Sequence, residues 1–140
     1  MIENAIIFSK EIKDIVLSST YGGLDPNSER YAIIVEKIKE VALKDQKGTF
    51  NLDLDGGLIA LIFNTNRFSV IFIFNKTLDD NSTKEWEKTA KDITNGFNRV
   101  YDPWNVDDEK HLDYKDTLDE IINWQLNQES PIDKMKDALW

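Results

Sequence analysis

The chain has 140 residues, a formal net charge of −9, 41% apolar residues and no cysteine. That length suits one domain burying roughly two-thirds of the surface its unfolded chain would expose, and the absence of cysteine excludes disulfides, thiolate metal sites and cysteine nucleophiles. The acidic balance works against a nucleic-acid partner, because such a surface repels phosphate backbones.

The charge is unevenly placed. Residues 102–140 carry eleven acidic and four basic side chains, whereas residues 1–101 carry fifteen and thirteen. We therefore read 1–101 as the core of the domain and 102–140 as an acidic helical extension that completes it or packs on it. No run approaches the roughly 20 apolar residues of a membrane-spanning helix, and Met1-Ile2-Glu3-Asn4 lacks the positive start of a signal peptide. With no cysteine, these features lead us to expect a soluble, cytoplasmic chain without membrane insertion.

In chain order, Asn4 to Phe8 and Asp14 to Tyr21 read as two strands with a turn near Ser9-Lys10-Glu11. Asp25-Pro26 supplies an N-cap acceptor and a proline for a first helix, with Tyr31, Ile34, Ile38 and Val41 on one face and Lys47-Gly48 ending it.

Residues 48–76 then form a three-stranded meander. In its first strand Phe50, Leu52 and Leu54 alternate with Asn51, Asp53 and Asp55, as expected of an edge strand with one wet face. Asp55-Gly56 suits a type I′ turn. The next strands, Leu58 to Phe63 and Phe68 to Phe74, are apolar at almost every position, so helices must cover both faces of the sheet.

Ser82-Thr83-Lys84-Glu85 matches a capping box opening a helix with Trp86, Ala90, Ile93, Phe97 and Tyr101 on one face. Gly96 weakens that helix and allows a kink, and Asp102-Pro103 stops it. Tyr114, Leu118, Ile121, Ile122 and Gln125 mark a further helix. A short amphipathic segment with Ile132, Met135 and Leu139 ends the chain at Trp140. The order is ββαβββαα plus a short terminal helix.

No catalytic constellation emerges, and we expect no enzyme, cofactor or metal. Asn51-x-Asp53-x-Asp55-Gly56 copies the start of a calcium-binding loop, but Ile62 stands where the bidentate glutamate belongs. Edge-strand charges that discourage unwanted pairing explain these residues better. His111 is the sole histidine and lies in an acidic stretch read as a solvated linker. Asp79-Asp80 and Asp107-Asp108 suit helix starts. Of the four tryptophans, Trp86 fits a core stripe. Trp104, Trp124 and Trp140 fall off the stripes, and either serve an interface or fold back on the core.

The element order resembles the longin-like domains. The resemblance covers about residues 1–126: the strand pair at 4–8 and 14–21, the helix near 26–44, the meander at 48–75 and the helix pair after Ser82. It implies an α+β fold with a five-stranded antiparallel sheet in the order 2-1-5-4-3, one helix on one face and two on the other. It further implies a non-enzymatic interaction module that homo- or heterodimerises and acts as an adaptor or platform for a small Ras-like GTPase or membrane-trafficking machinery, peripheral to membranes through a partner. No coiled-coil heptads or membrane anchor follow, which departs from the vesicle-fusion members. The interface candidates are Asn51, Asp53, Asp55, Trp104, Trp124 and Trp140. The competing reading is a small-molecule sensor of PAS or profilin type, with a cavity lined by Phe63, Phe72 and Trp86.

Overall fold

A computed structural model describes residues 2–44, 47–54, 56–101 and 110–128. Asp55, the 102–109 stretch with Trp104, and the segment from 129 to Trp140 with its expected short helix lie outside the described residues. Strands β1 (Ile2–Ser9), β2 (Asp14–Thr20), β3 (Gly48–Asp53), β4 (Ile59–Asn64) and β5 (Phe68–Phe74) alternate with helices α1 (Glu29–Ala42), α2 (Asp80–Val100) and α3 (Lys110–Gln128) in the order ββαβββαα. The five strands form one antiparallel sheet, β2-β1-β5-β4-β3.

The apolar strands occupy the centre. Every residue of β5 is buried, and β4 has no fully exposed position. Period-2 alternation divides them between two cores. Phe68, Val70, Phe72 and Phe74 meet Trp86, Ile93 and Phe97 of α2 and Leu118 and Ile122 of α3. Ser69, Ile71 and Ile73 face the other way, where Ile71 and Ile73 join Ile34 and Ile38 of α1. Trp86 is wholly buried, its ring 4.9 Å from that of Phe72 and 5.2 Å from that of Phe74.

Neither of the first two helices starts at the capping residue that the sequence suggests. Asp25 does not cap α1. Its carboxylate accepts from the Asn27 N–H at 2.9 Å and its carbonyl accepts from Ser28, building a turn before the helix. Ser28 is the N-cap, accepting from the Tyr31 N–H at 3.2 Å. That placement keeps Leu24 buried in the α1-side core. Asp79 similarly caps α2, accepting from the Ser82 N–H at 2.7 Å, so Ser82 lies inside the helix. At its other end α1 stops at Ala42, with Leu43 as C-cap, ahead of the expected Lys47-Gly48. Ala42 takes the deepest place on the last turn, and Val41 is half-buried.

The β3–β4 connection also differs from the two-residue turn expected at Asp55-Gly56. The Leu54 N–H donates to the Leu58 carbonyl at 2.8 Å, closing a connection of three residues. Positive φ falls on Gly56 (77°) and Gly57 (80°), a conformation glycine adopts without a Cβ penalty. His111, expected in a linker, belongs to the first turn of α3.

Three sets of polar contacts tie the elements together. Arg67, between β4 and β5, donates to Glu11 at 2.5 Å, to Asn98 at 2.7 Å and to the Tyr101 carbonyl at 3.3 Å, tying two turns to the end of α2. Thr89 of α2 donates to Gln125 of α3 at 2.9 Å, satisfying a buried carboxamide oxygen. Asp119 of α3 accepts from Ser19 at 2.6 Å and from the Tyr21 hydroxyl at 2.7 Å, fastening α3 to the β2 side of the sheet.

Candidate functional site

A sheet of this order has two edges, and they are unlike. β2 carries a bulge where its pairing with β1 shifts between Ile7 and Phe8, and Lys39 reaches across from α1 to Asp14 at 3.4 Å. Bulges interrupt a strand's capacity to pair further. β3 pairs with β4 in unbroken register, from Gly48 opposite Asn64 to Asp53 opposite Ile59. Its other side is the end of the sheet.

The Leu54–Leu58 bond sets which backbone groups point outward. In an antiparallel pair, residues alternate between exchanging hydrogen bonds and facing away. With Leu54 and Leu58 bonded, Leu52, Phe50 and Gly48 bond to β4. The N–H and C=O groups of Thr49, Asn51 and Asp53 therefore point away from the sheet. The side chains of Asn51 and Asp53 are exposed, whereas Phe50 and Leu52 are half-buried against the α1-side core.

One cleft lies beside this edge, and another lies on α1. On the α2 side, Asn51 and Asp53 stand at the rim of a cleft of about 160 Å³. Ile59, Leu61 and Phe74 form its floor, and Thr77 and Leu78, on the connection into α2, close its far side. Among the described residues α2 packs on β5 and on part of β4, and of this floor Leu61 and Phe74 are buried and Ile59 is half-buried. On the α1 side, Arg30, Ile33 and Lys37 line a shallower cleft of about 230 Å³. Arg30 donates to the Gly56 carbonyl at 3.3 Å, so this cleft faces the β3–β4 end of the sheet. Ile33 is 58% exposed, although its neighbour Ile34 is core.

The structure thus brings Asn51 and Asp53 together at one edge. Trp124 sits apart on α3 with 62% of its surface exposed. Asp55, Trp104 and Trp140 lie outside the described residues. Sequence reasoning missed Ile33 and Leu78. Ile33 directly precedes a core position, so helical periodicity alone left its side unassigned.

The Ser19–Tyr21–Asp119 cluster was also missed, although positions 19 and 21 share a strand face. It anchors α3 to the end of β2. Burial pushes the Tyr21 phenol well above its ordinary value, with Asp119 adding to the effect against the Ser19 hydrogen bond. The phenol stays protonated as a donor to Asp119. Among the described residues no group of three or more histidine, cysteine or carboxylate side chains converges to hold a metal ion.

No protein-family model matches the chain, and no curated protein matches it in sequence.

Proposed function

We propose that this chain is a non-enzymatic protein-interaction module that binds by adding a partner's strand to β3. The observation that carries this reading is the unbroken β3 register, which leaves the backbone groups of Thr49, Asn51 and Asp53 directed outward. Strand addition uses such groups for affinity and the flanking side chains for specificity. The resemblance to longin-like domains supports the finer reading of an adaptor or platform for a small Ras-like GTPase or trafficking machinery.

Homodimerisation has a definite geometry on this edge. A second copy laid antiparallel with Asn51 opposite Asn51 sets Thr49 against Asp53 and Phe50 against Leu52. That arrangement exchanges about six backbone hydrogen bonds. It covers the half-buried Phe50 and Leu52 with each other and opposes no like charges. The exposed Ile33 beside Arg30 extends an apolar surface toward the same end.

The sensor reading has less support. Phe72 and Trp86, two of its three expected cavity-lining residues, pack ring against ring with no exposed surface.

Asn51→Pro tests the proposal, because it removes an outward N–H while leaving the β3–β4 ladder whole. Light scattering, on the chain alone and with nucleotide-loaded small GTPases, should show assembly for the wild type that the variant loses. Assemblies that survive the substitution would contradict the reading.

A further inference from the structure

α3 is attached differently from the other two helices. α2 sets Trp86, Ile93 and Phe97 against Phe68, Phe72 and Phe74 of the central strand β5. On the other face α1 sets Ile34 and Ile38 against Ile71 and Ile73 of the same strand. Either helix, if removed, uncovers the centre of the sheet. α3 packs instead on α2 and on the edge strand β2. It is the last of the described elements, joined to α2 through residues 102–109.

Its hold on the fold is part apolar and part polar. Tyr114, Leu118 and Ile122 enter the core, but the fourth buried position is Gln125, whose carboxamide needs Thr89 to satisfy it. Tyr114 also donates to the Ile93 carbonyl at 3.3 Å. Asp119 makes the bond to the sheet, where one carboxylate oxygen accepts from both Ser19 and Tyr21. A carboxylate acceptor makes each of these bonds stronger than a neutral one.

Once detached, α3 has little to keep it helical. Asp113 and Asp116 stand three residues apart, and Asp116 and Glu120 four apart. Like charges at these spacings destabilise a helix, and a protein helix draws most of its stability from packing. Undocking and melting therefore occur together. Openings of this kind lie between the fraying of ends and global unfolding.

We infer that α3 is a latched cover: it undocks and melts as one unit while the sheet, α1 and α2 stay folded, and Asp119 is the latch. Undocking uncovers Phe97, whose ring centroid lies 5.5 Å from that of Tyr114, and the face of β2 that carries Ser19. This device sits at the opposite edge of the sheet from β3, so it stands whether or not β3 pairs with a partner.

Hydrogen exchange of the full chain, followed amide by amide, tests it. The interior amides of α3 should share one opening free energy, smaller than that of β1 and β5. Asp119→Ala should speed α3 exchange about tenfold or more, because two charge-assisted hydrogen bonds are lost. Tyr21→Phe, which keeps one of the two, should speed it less. If Asp119→Ala does not fold, Tyr21→Phe decides alone. Ile38→Val, in the α1-side core, should speed the β5 amides about fivefold. It should leave α3 unchanged, because an opening confined to α3 breaks no contact of Ile38. Amides of α3 and β5 that share one free energy and respond alike to Ile38→Val would overturn the inference, since α3 would then open only with the whole domain. Rates in α3 indifferent to the Asp119 and Tyr21 variants would overturn it too, by removing the latch.

Discussion

The Leu54 N–H donates to the Leu58 carbonyl across the β3–β4 turn at 2.8 Å, and this bond decides the parity of the whole edge. Shifting the pairing by one residue would turn Phe50 and Leu52 outward in place of Asn51 and Asp53. Two proline substitutions should therefore behave differently. Leu52→Pro removes a ladder donor and should cost about 1–3 kcal/mol. Asn51→Pro, one residue away, should leave the urea midpoint close to that of the wild type. Equal losses in the two variants would show that the parity is wrong.

Tyr21 should make stability sensitive to alkali. Burial raises its phenol above the ordinary value of 10, and burial raises Tyr31 and Tyr114 in the same direction. The folded chain then holds protons that the unfolded chain releases. This contribution is complete below about pH 10, is lost as pH rises through the raised folded values, and gains nothing on acidification. Tyr21→Phe should shallow the fall in urea midpoint between pH 9 and 11 without abolishing it, because Tyr31 and Tyr114 contribute with the same sign. At neutral pH the variant should lose about 1 kcal/mol, because Asp119 gives up one of its two donors.

Gly96 permits α3 to lie against α2. A Cβ placed there would meet the Tyr114 hydroxyl at 2.5 Å and its ring carbons at 3.2 and 3.3 Å. Alanine gains about 1 kcal/mol of helix propensity, but the overpacking should cost more, about 1–3 kcal/mol. Gly96→Ala should therefore lower the melting temperature. Adding Tyr114→Phe should restore part of the loss by removing the nearest atom. A stabilised Gly96→Ala would contradict the packing of α3 on α2.

Asp79 is the cap of α2, and its carboxyl is held below the ordinary range first by the Ser82 backbone N–H and then by the Ser82 hydroxyl. A lowered carboxyl contributes stability at neutral pH that disappears as pH falls through its folded value. Asp79→Ala should destabilise the chain at pH 7 and narrow its loss of stability on acidification. Ser82→Ala should have the smaller effect at pH 7, because the backbone donor remains. The opposite ranking would return the cap to Ser82.

The two-sided burial of β4 and β5 and the edge position of β3 were legible because each strand's polarity states how many faces it buries, whereas the full strand order was implied only by the resemblance to longin-like domains. Trp86, Ile93 and Phe97 were legible for the same reason on a helix. The helix starts were not. Asp25 and Ser28, like Asp79 and Ser82, are chemically equivalent caps three residues apart, and the choice between them depends on packing, as with the burial of Leu24. The turn after Leu54 was hidden because Asp55-Gly56 and Gly56-Gly57 both satisfy local turn chemistry, and only the strand register separates them. Asn51 and Asp53 were legible as an edge. The cleft beside them was not, since Thr77 and Leu78 reach it through the fold.

The most direct test compares the molar mass of complexes formed by the wild type and by Asn51→Pro at matched concentrations, using light scattering with the chain alone and with its partner peptides or proteins. Strand addition at β3 predicts complexes in the wild type, none in the variant, and equal melting temperatures for the two once dilution has dissociated the complexes. Complexes of the same mass in both would show that the chain binds elsewhere.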